Sequence, residues 1–134
     1  MPLIKLEHYL VLTDDIDATR DFYVEALGMQ VGFRPPLGFP GHWVYIGDTP
    51  VIHIAEWLTY TAHSKAKGVD VSARASGTGP VDHIAFAAQD YEGVLARLQR
   101  LGVAVRVNNN PNNTVRQLFV LDPNGIKIEI NFRK

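Results

Sequence analysis

The chain contains no cysteine in its 134 residues, which excludes disulfides, thiolate nucleophiles and cysteine metal centres. Neither sign of charge is in excess: 13 Lys and Arg face 14 Asp and Glu, for a formal net charge of −1. Such a balance leaves no electrostatic footprint for nucleic acid, so nucleic acid is not an expected partner. No apolar run reaches the length of a membrane span. The opening Met1-Pro2-Leu3-Ile4-Lys5 lacks the apolar core and cleavage site of a signal peptide. A membrane is therefore not expected either, and the expected location is the cytoplasm.

What is present fits a soluble globular chain: 46% hydrophobic and 20% charged residues. Residues 1–134 read as a single domain with enough chain to bury a core. Within it the sequence repeats itself. His8-Tyr9-Leu10-Val11-Leu12-Thr13-Asp14-Asp15 and His83-Ile84-Ala85-Phe86-Ala87-Ala88-Gln89-Asp90 each open on histidine, run through an apolar stretch and close on aspartate. A helix-like pattern ending in Leu-Gly follows each. The copies lie 75 residues apart.

Residues 3–13 read as a strand, with His8, Leu10 and Leu12 on one face. Asp14-Asp15-Ile16-Asp17 offers helix-capping chemistry, and the helical spacing of Ile16, Phe22, Tyr23, Ala26 and Leu27 runs to a stop at Gly28. Phe22 and Tyr23 read as helix–sheet core. A strand over 29–34 is followed by a Pro- and Gly-rich loop to Gly41. Trp43–Ile46 and Val51–Ala55 then form a hairpin across Gly47-Asp48-Thr49-Pro50. The first module, about 3–57, is strand–helix–strand–strand–strand.

Residues 58–79 break the pattern and read as a long connection between the modules, one that could close over a ligand. The second module, about 80–132, repeats the order: strand 81–88, helix 91–101 with Val94, Leu95, Leu98 and Leu101 on one face, then strands 103–107, 115–121 and 126–132. The Asn-rich run 108–113 and the turn Asp122-Pro123-Asn124-Gly125 separate the last three.

Aligning the modules by their last strands pairs His53 with Glu129. On the final strand Ile126, Ile128 and Ile130 take one face, and Lys127, Glu129 and Asn131 the other. Each module thus offers one donor at the start of its first strand and another on its last. Two imidazoles and a carboxylate can hold a divalent ion and leave positions open for substrate. Ala85 and Ala87 share the face of His83 and leave room beside it. His53 completes the metal shell, acts as a base, or lines the pocket. His42 and His63 are expected to face solvent, and Arg34, Arg74 and Arg116 are candidate anchors for an anionic substrate.

The chain resembles the vicinal oxygen chelate superfamily (glyoxalase, bleomycin resistance protein and extradiol dioxygenase). The resemblance rests on His8, Asp15, Phe22-Tyr23, Leu27-Gly28-Met29, His83 and Leu121-Asp122-Pro123-Asn124-Gly125 running into Glu129. It implies an α+β fold of two paired βαβββ modules forming a cupped mixed sheet, and a homodimer. It also implies metal ligation by His8, His83 and Glu129, with His53 at a fourth position. The ion would be Fe2+, Zn2+, Ni2+, Mn2+ or Co2+. The implied activity is that of a metal-dependent enzyme acting on a small molecule that chelates through adjacent oxygens.

A glyoxalase-like lyase or isomerase would use His53 and Glu129 as catalytic groups. An extradiol-type dioxygenase would use the His/His/Glu set for iron(II). Phe119, however, stands where the dioxygenase signature has tyrosine, and its catalytic histidine falls in the Asn110–Asn112 region. Glu25 stands where glyoxalase I commonly has a basic residue, and His53 where it has glutamate. A resistance-type binding protein would instead stack its ligand on Phe39, Trp43, Tyr45 and Trp57.

Overall fold

The structure, a computed structural model, describes residues 2–109 and 114–133. The chain divides into two compact units, Met1–Arg74 and Ala75–Lys134. Each carries a mixed four-stranded sheet with few helices, so the fold is α+β, as the repeat predicts. Among the described residues no helix is long and apolar enough to cross a membrane.

In the first unit the order is β1 (Tyr9–Thr13), α1 (Ile16–Asp21), a π-helical turn (Phe22–Ala26), β2 (Gln30–Gly32), β3 (Gly41–Ile46), β4 (Thr49–Glu56) and α2 (Trp57–Ala66). The sheet order is β1-β4-β3-β2, with β1 parallel to β4 and the other pairs antiparallel. Asp15 caps α1 by accepting from the Ala18 amide at 2.9 Å, which satisfies one of the free N–H groups of the first turn. The helix stops where Gly28 takes φ 75°, a left-handed conformation that costs a residue with a Cβ. Thr19, Tyr23 and Ala26 are buried beneath it with Val11, Val44, Ile52 and Ile54.

The second unit repeats this plan with β5 (Ile84–Ala87), α3 (Tyr91–Arg100), β6 (Arg106–Asn108), β7 (Val115–Leu121) and β8 (Lys127–Arg133). Its order, β5-β8-β7-β6, again has one parallel pair, β5 with β8. Leu98 of α3 is buried together with Leu118, Val120, Ile128 and Ile130. The turn before β8 is organised by buried Asp122, which accepts from the amides of Asn124 at 2.8 Å and Ile126 at 2.9 Å.

Three expectations are corrected. The strand expected over 3–13 begins at Tyr9, and Leu3, Ile4 and Leu6 are 82%, 89% and 87% exposed. Pairing with β4 starts at Tyr9 opposite Ile52; two residues further back on β4 stands Pro50, which has no amide hydrogen to extend the ladder. The connection expected over 58–79 holds α2, whose Thr- and Ser-rich sequence carries almost no apolar periodicity. The second module's first strand starts at Ile84, so His83, like His8, precedes its strand. Of the Asn-rich run, residues 110–113 lie outside the described residues.

Candidate metal centre

In the first unit one donor, His8, stands just before β1 and the other, His53, lies on β4. Leu10 lies opposite His53 in the parallel register, so His8, two residues earlier, shares the face of His53. The His8 and His53 rings are stacked, with centroids 3.7 Å apart and planes at 11°. Trp43, opposite His53 on β3, stacks on the far side of His53 at 4.0 Å and 11°. His53 is thus sandwiched between two flat rings.

That sandwich determines the state of His53. Its Nε2 is buried and has no hydrogen-bond partner among the described residues. Burial, followed by the charge of His8, lowers its pKa to about 4, against a raising effect of the Pro50 carbonyl. Burial disfavours the charged imidazolium. With no partner at Nε2, that nitrogen is free to carry the lone pair of the neutral imidazole. Outside this stack, His8 Nδ1 meets Glu7 Oε1 at 2.9 Å.

In the second unit Ala85 lies opposite Glu129, the same register relation as Leu10 with His53. His83 Nε2 lies 3.7 Å from Glu129 Oε1. Its Nδ1 lies 2.8 Å from Asp82 Oδ2, which also binds Lys127 Nζ at 2.7 Å. These two partners, His83 first, hold the Asp82 carboxyl below its usual pKa. Both oxygens of Glu129 are engaged: Gln117 Nε2 donates to Oε1 at 3.2 Å, and Asn131 Nδ2 donates to Oε2 at 2.9 Å. Gln117 is itself tied to Asn108 at 2.8 Å. Ala85 and Ala87 are exposed beside this pair.

The expected donors therefore occur as two pairs, His8 with His53 and His83 with Glu129, one in each unit. Among the described residues no group of three or more His, Asp or Glu that could hold a metal ion is found. The supporting amides Gln117 and Asn131 were not foreseen. Their signal was alternation, since Asn131 follows Glu129 by two on β8 and Gln117 is its register partner on β7.

Two other histidines depart from expectation. His42 does not simply face solvent: its Nε2 lies 2.8 Å from Asp17 Oδ1, and that bond, ahead of Arg20, lowers the pKa of Asp17. His63 packs against Phe39 at 4.9 Å between centroids. Phe119 lies opposite Glu129 on β7 and brings no hydroxyl to it. Tyr23 is buried in the core, as expected, while Phe22 is partly exposed and meets Tyr23 edge-on at 5.5 Å.

The sequence matches the family model of the Glyoxalase/Bleomycin resistance protein/Dioxygenase superfamily over residues 5–130. No curated protein matches the chain. Among solved structures, a lactoylglutathione lyase from Agrobacterium tumefaciens is 19% identical with a TM-score of 0.72, covering 98% of this chain and 95% of that one. A genomically encoded fosfomycin resistance protein from Listeria monocytogenes is 17% identical with a TM-score of 0.69, at 98% and 95% coverage. An antibiotic-binding protein from a Streptomyces species is 23% identical with a TM-score of 0.66, at 100% and 99% coverage. At these identities the likeness is one of fold.

Proposed function

The chain belongs to the glyoxalase/bleomycin resistance protein/dioxygenase superfamily, and we propose that it is a divalent-metal-dependent lyase or isomerase of the glyoxalase type. His8, His83 and Glu129 are the proposed ligands, with His53 at the fourth position. The observation that carries this reading is the matched register: Leu10 faces His53 and Ala85 faces Glu129, so each unit presents a donor pair at the same place. The donor set suits Fe2+, Zn2+, Ni2+, Mn2+ or Co2+ alike. The buried, unpartnered Nε2 of His53 offers one lone pair, available to the ion or to a proton but not to both at once.

Held by His8, His83 and Glu129, a divalent cation would supply Lewis acidity toward adjacent oxygens of a small substrate, which would make the carbon-bound proton next to them more acidic. The chain's own groups do the rest. His53 is neutral at pH 7, since its pKa is lowered to about 4, and with Nε2 off the ion it accepts that proton there. Its weak basicity makes it a poor proton store, so the proton is returned readily to the neighbouring carbon. Trp43 covers one ring face of His53 and keeps water from it. Glu129 is oriented by Gln117 and Asn131 and is the second proton-carrying group. A homodimer is the assembly we expect.

The dioxygenase alternative lacks a tyrosine hydroxyl opposite Glu129, because Phe119 stands there. The test is direct. Chelator-stripped protein is titrated with each of the five ions, followed by thermal stability, and then assayed with a thiol–α-ketoaldehyde adduct. Metal-dependent stabilisation with turnover of the adduct is expected. Oxygen uptake with catechols under iron(II) would move the assignment to a dioxygenase. Absence of any metal response would leave a binding protein.

A further inference from the structure

Of the three arginines that the sequence offers as anion anchors, two are already paired. Arg74 binds Asp14 and lies over the Trp57 ring at 5.8 Å. Arg116 reaches Glu92 at 3.3 Å and covers the Tyr91 ring at 3.4 Å. Arg34 differs. It is half-buried, forms no ion pair among the described residues, and its Nε is buried without a hydrogen-bond partner. Burial lowers its pKa from the ordinary arginine value.

Its position is set by two features. Gly41 has no side chain, and a Cβ there would come within 3.0 Å of Arg34 Nη2. Gly41 alternates with Trp43 on β3, so the guanidinium lies over the same sheet face as Trp43 and its register partner His53. Arg34 Nη2 also donates to the Phe39 carbonyl at 2.9 Å, and the cation lies 5.0 Å from the Phe39 ring. Phe39 in turn meets Tyr60 edge-on at 5.1 Å, along with His63, both on α2. The helix thereby fixes the loop that fixes the arginine.

A desolvated guanidinium without a carboxylate is costly, and a partner oxyanion recovers that cost through charge-assisted hydrogen bonds. We propose that Arg34 is the anion-binding residue of this face and selects substrates that carry an oxyanion, either a carboxylate or a phosphate-type group. The inference deepens the functional reading above and rests on it only for placing the substrate beside His53.

The test uses chelator-stripped full-length protein, so that anion binding is read apart from metal. Inorganic phosphate and acetate are titrated separately while the arginine Nε–H resonances are followed by NMR. A saturable shift of the Arg34 resonance with either anion is expected, and the anion that moves it identifies the oxyanion class. Arg34→Gln should weaken that binding by about tenfold or more, Arg34→Lys by less, and Arg74→Gln should leave it unchanged. The wild-type resonance answers the question even if a variant fails to fold. An unmoved Arg34 resonance, or Arg34→Gln binding both anions as the parent does, overturns the proposal. Anion binding at Arg34 without any divalent-metal response would keep it and sink the metal reading instead.

Discussion

Trp43 lies face to face with His53, their ring centroids 4.0 Å apart, and the pairing repeats their register across β3 and β4. The indole contributes to burying an imidazole that would otherwise titrate near neutrality.

Stability should therefore depend on pH through His53. Its folded pKa, about 4, lies below the ordinary 6.5, so the unfolded chain binds the proton more readily. The contribution is fully present above pH 6.5 and is lost as pH falls from 6.5 toward 4. Urea unfolding at pH 7 and pH 4.5 should show the wild type losing stability, and His53→Gln should lose less. Trp43→Ala should raise the His53 pKa, read from the ring proton shifts. An unchanged pKa would mean that the indole does not contribute to the burial.

The donor assignments separate by variant. His83→Ala should abolish metal binding and activity while circular dichroism shows the sheets intact. His53→Ala should lower the rate with a smaller loss of metal affinity. Full metal occupancy in His83→Ala would remove the site assignment, and a metal-free His53→Ala would make that residue an obligate ligand.

Gly41→Ala should destabilise the first unit by about 1–3 kcal/mol, the range for overpacking a tight site. The new methyl would meet the Ile54 carbonyl as well as Arg34. Chemical denaturation measures the loss, and a neutral result would show that β3 and β4 separate freely there.

Asp122→Ala should cost about 2 kcal/mol, because two turn amides lose a buried acceptor. The midpoint of urea unfolding should fall at unchanged m-value.

Much of this was legible because periodicity and repetition are local. The alternation of Ile126, Ile128 and Ile130 with Glu129 predicts which side chains share the apolar face of β8, and all three isoleucines are buried. The equivalence of His53 and Glu129 could be read by counting from the two histidines. The start of β1 could not, since it depends on Pro50 in a strand more than 40 residues away. Nor could α2, which is held by Tyr60 and His63 against Phe39 rather than by an apolar stripe. Arg34 looked like any surface arginine. Its distinction is that it forms no ion pair among the described residues, a property of packing and not of spacing.

The two amides on Glu129 carry one more consequence. A free glutamate side chain samples many rotamers, and any partner that captures it must overcome that conformational entropy. Gln117 and Asn131 hold both carboxylate oxygens, so Glu129 has already lost most of that freedom on folding. The proposed capture of a cation by Glu129 should therefore show a smaller entropic penalty than an unbraced carboxylate would, a difference that calorimetry on Gln117→Ala can read.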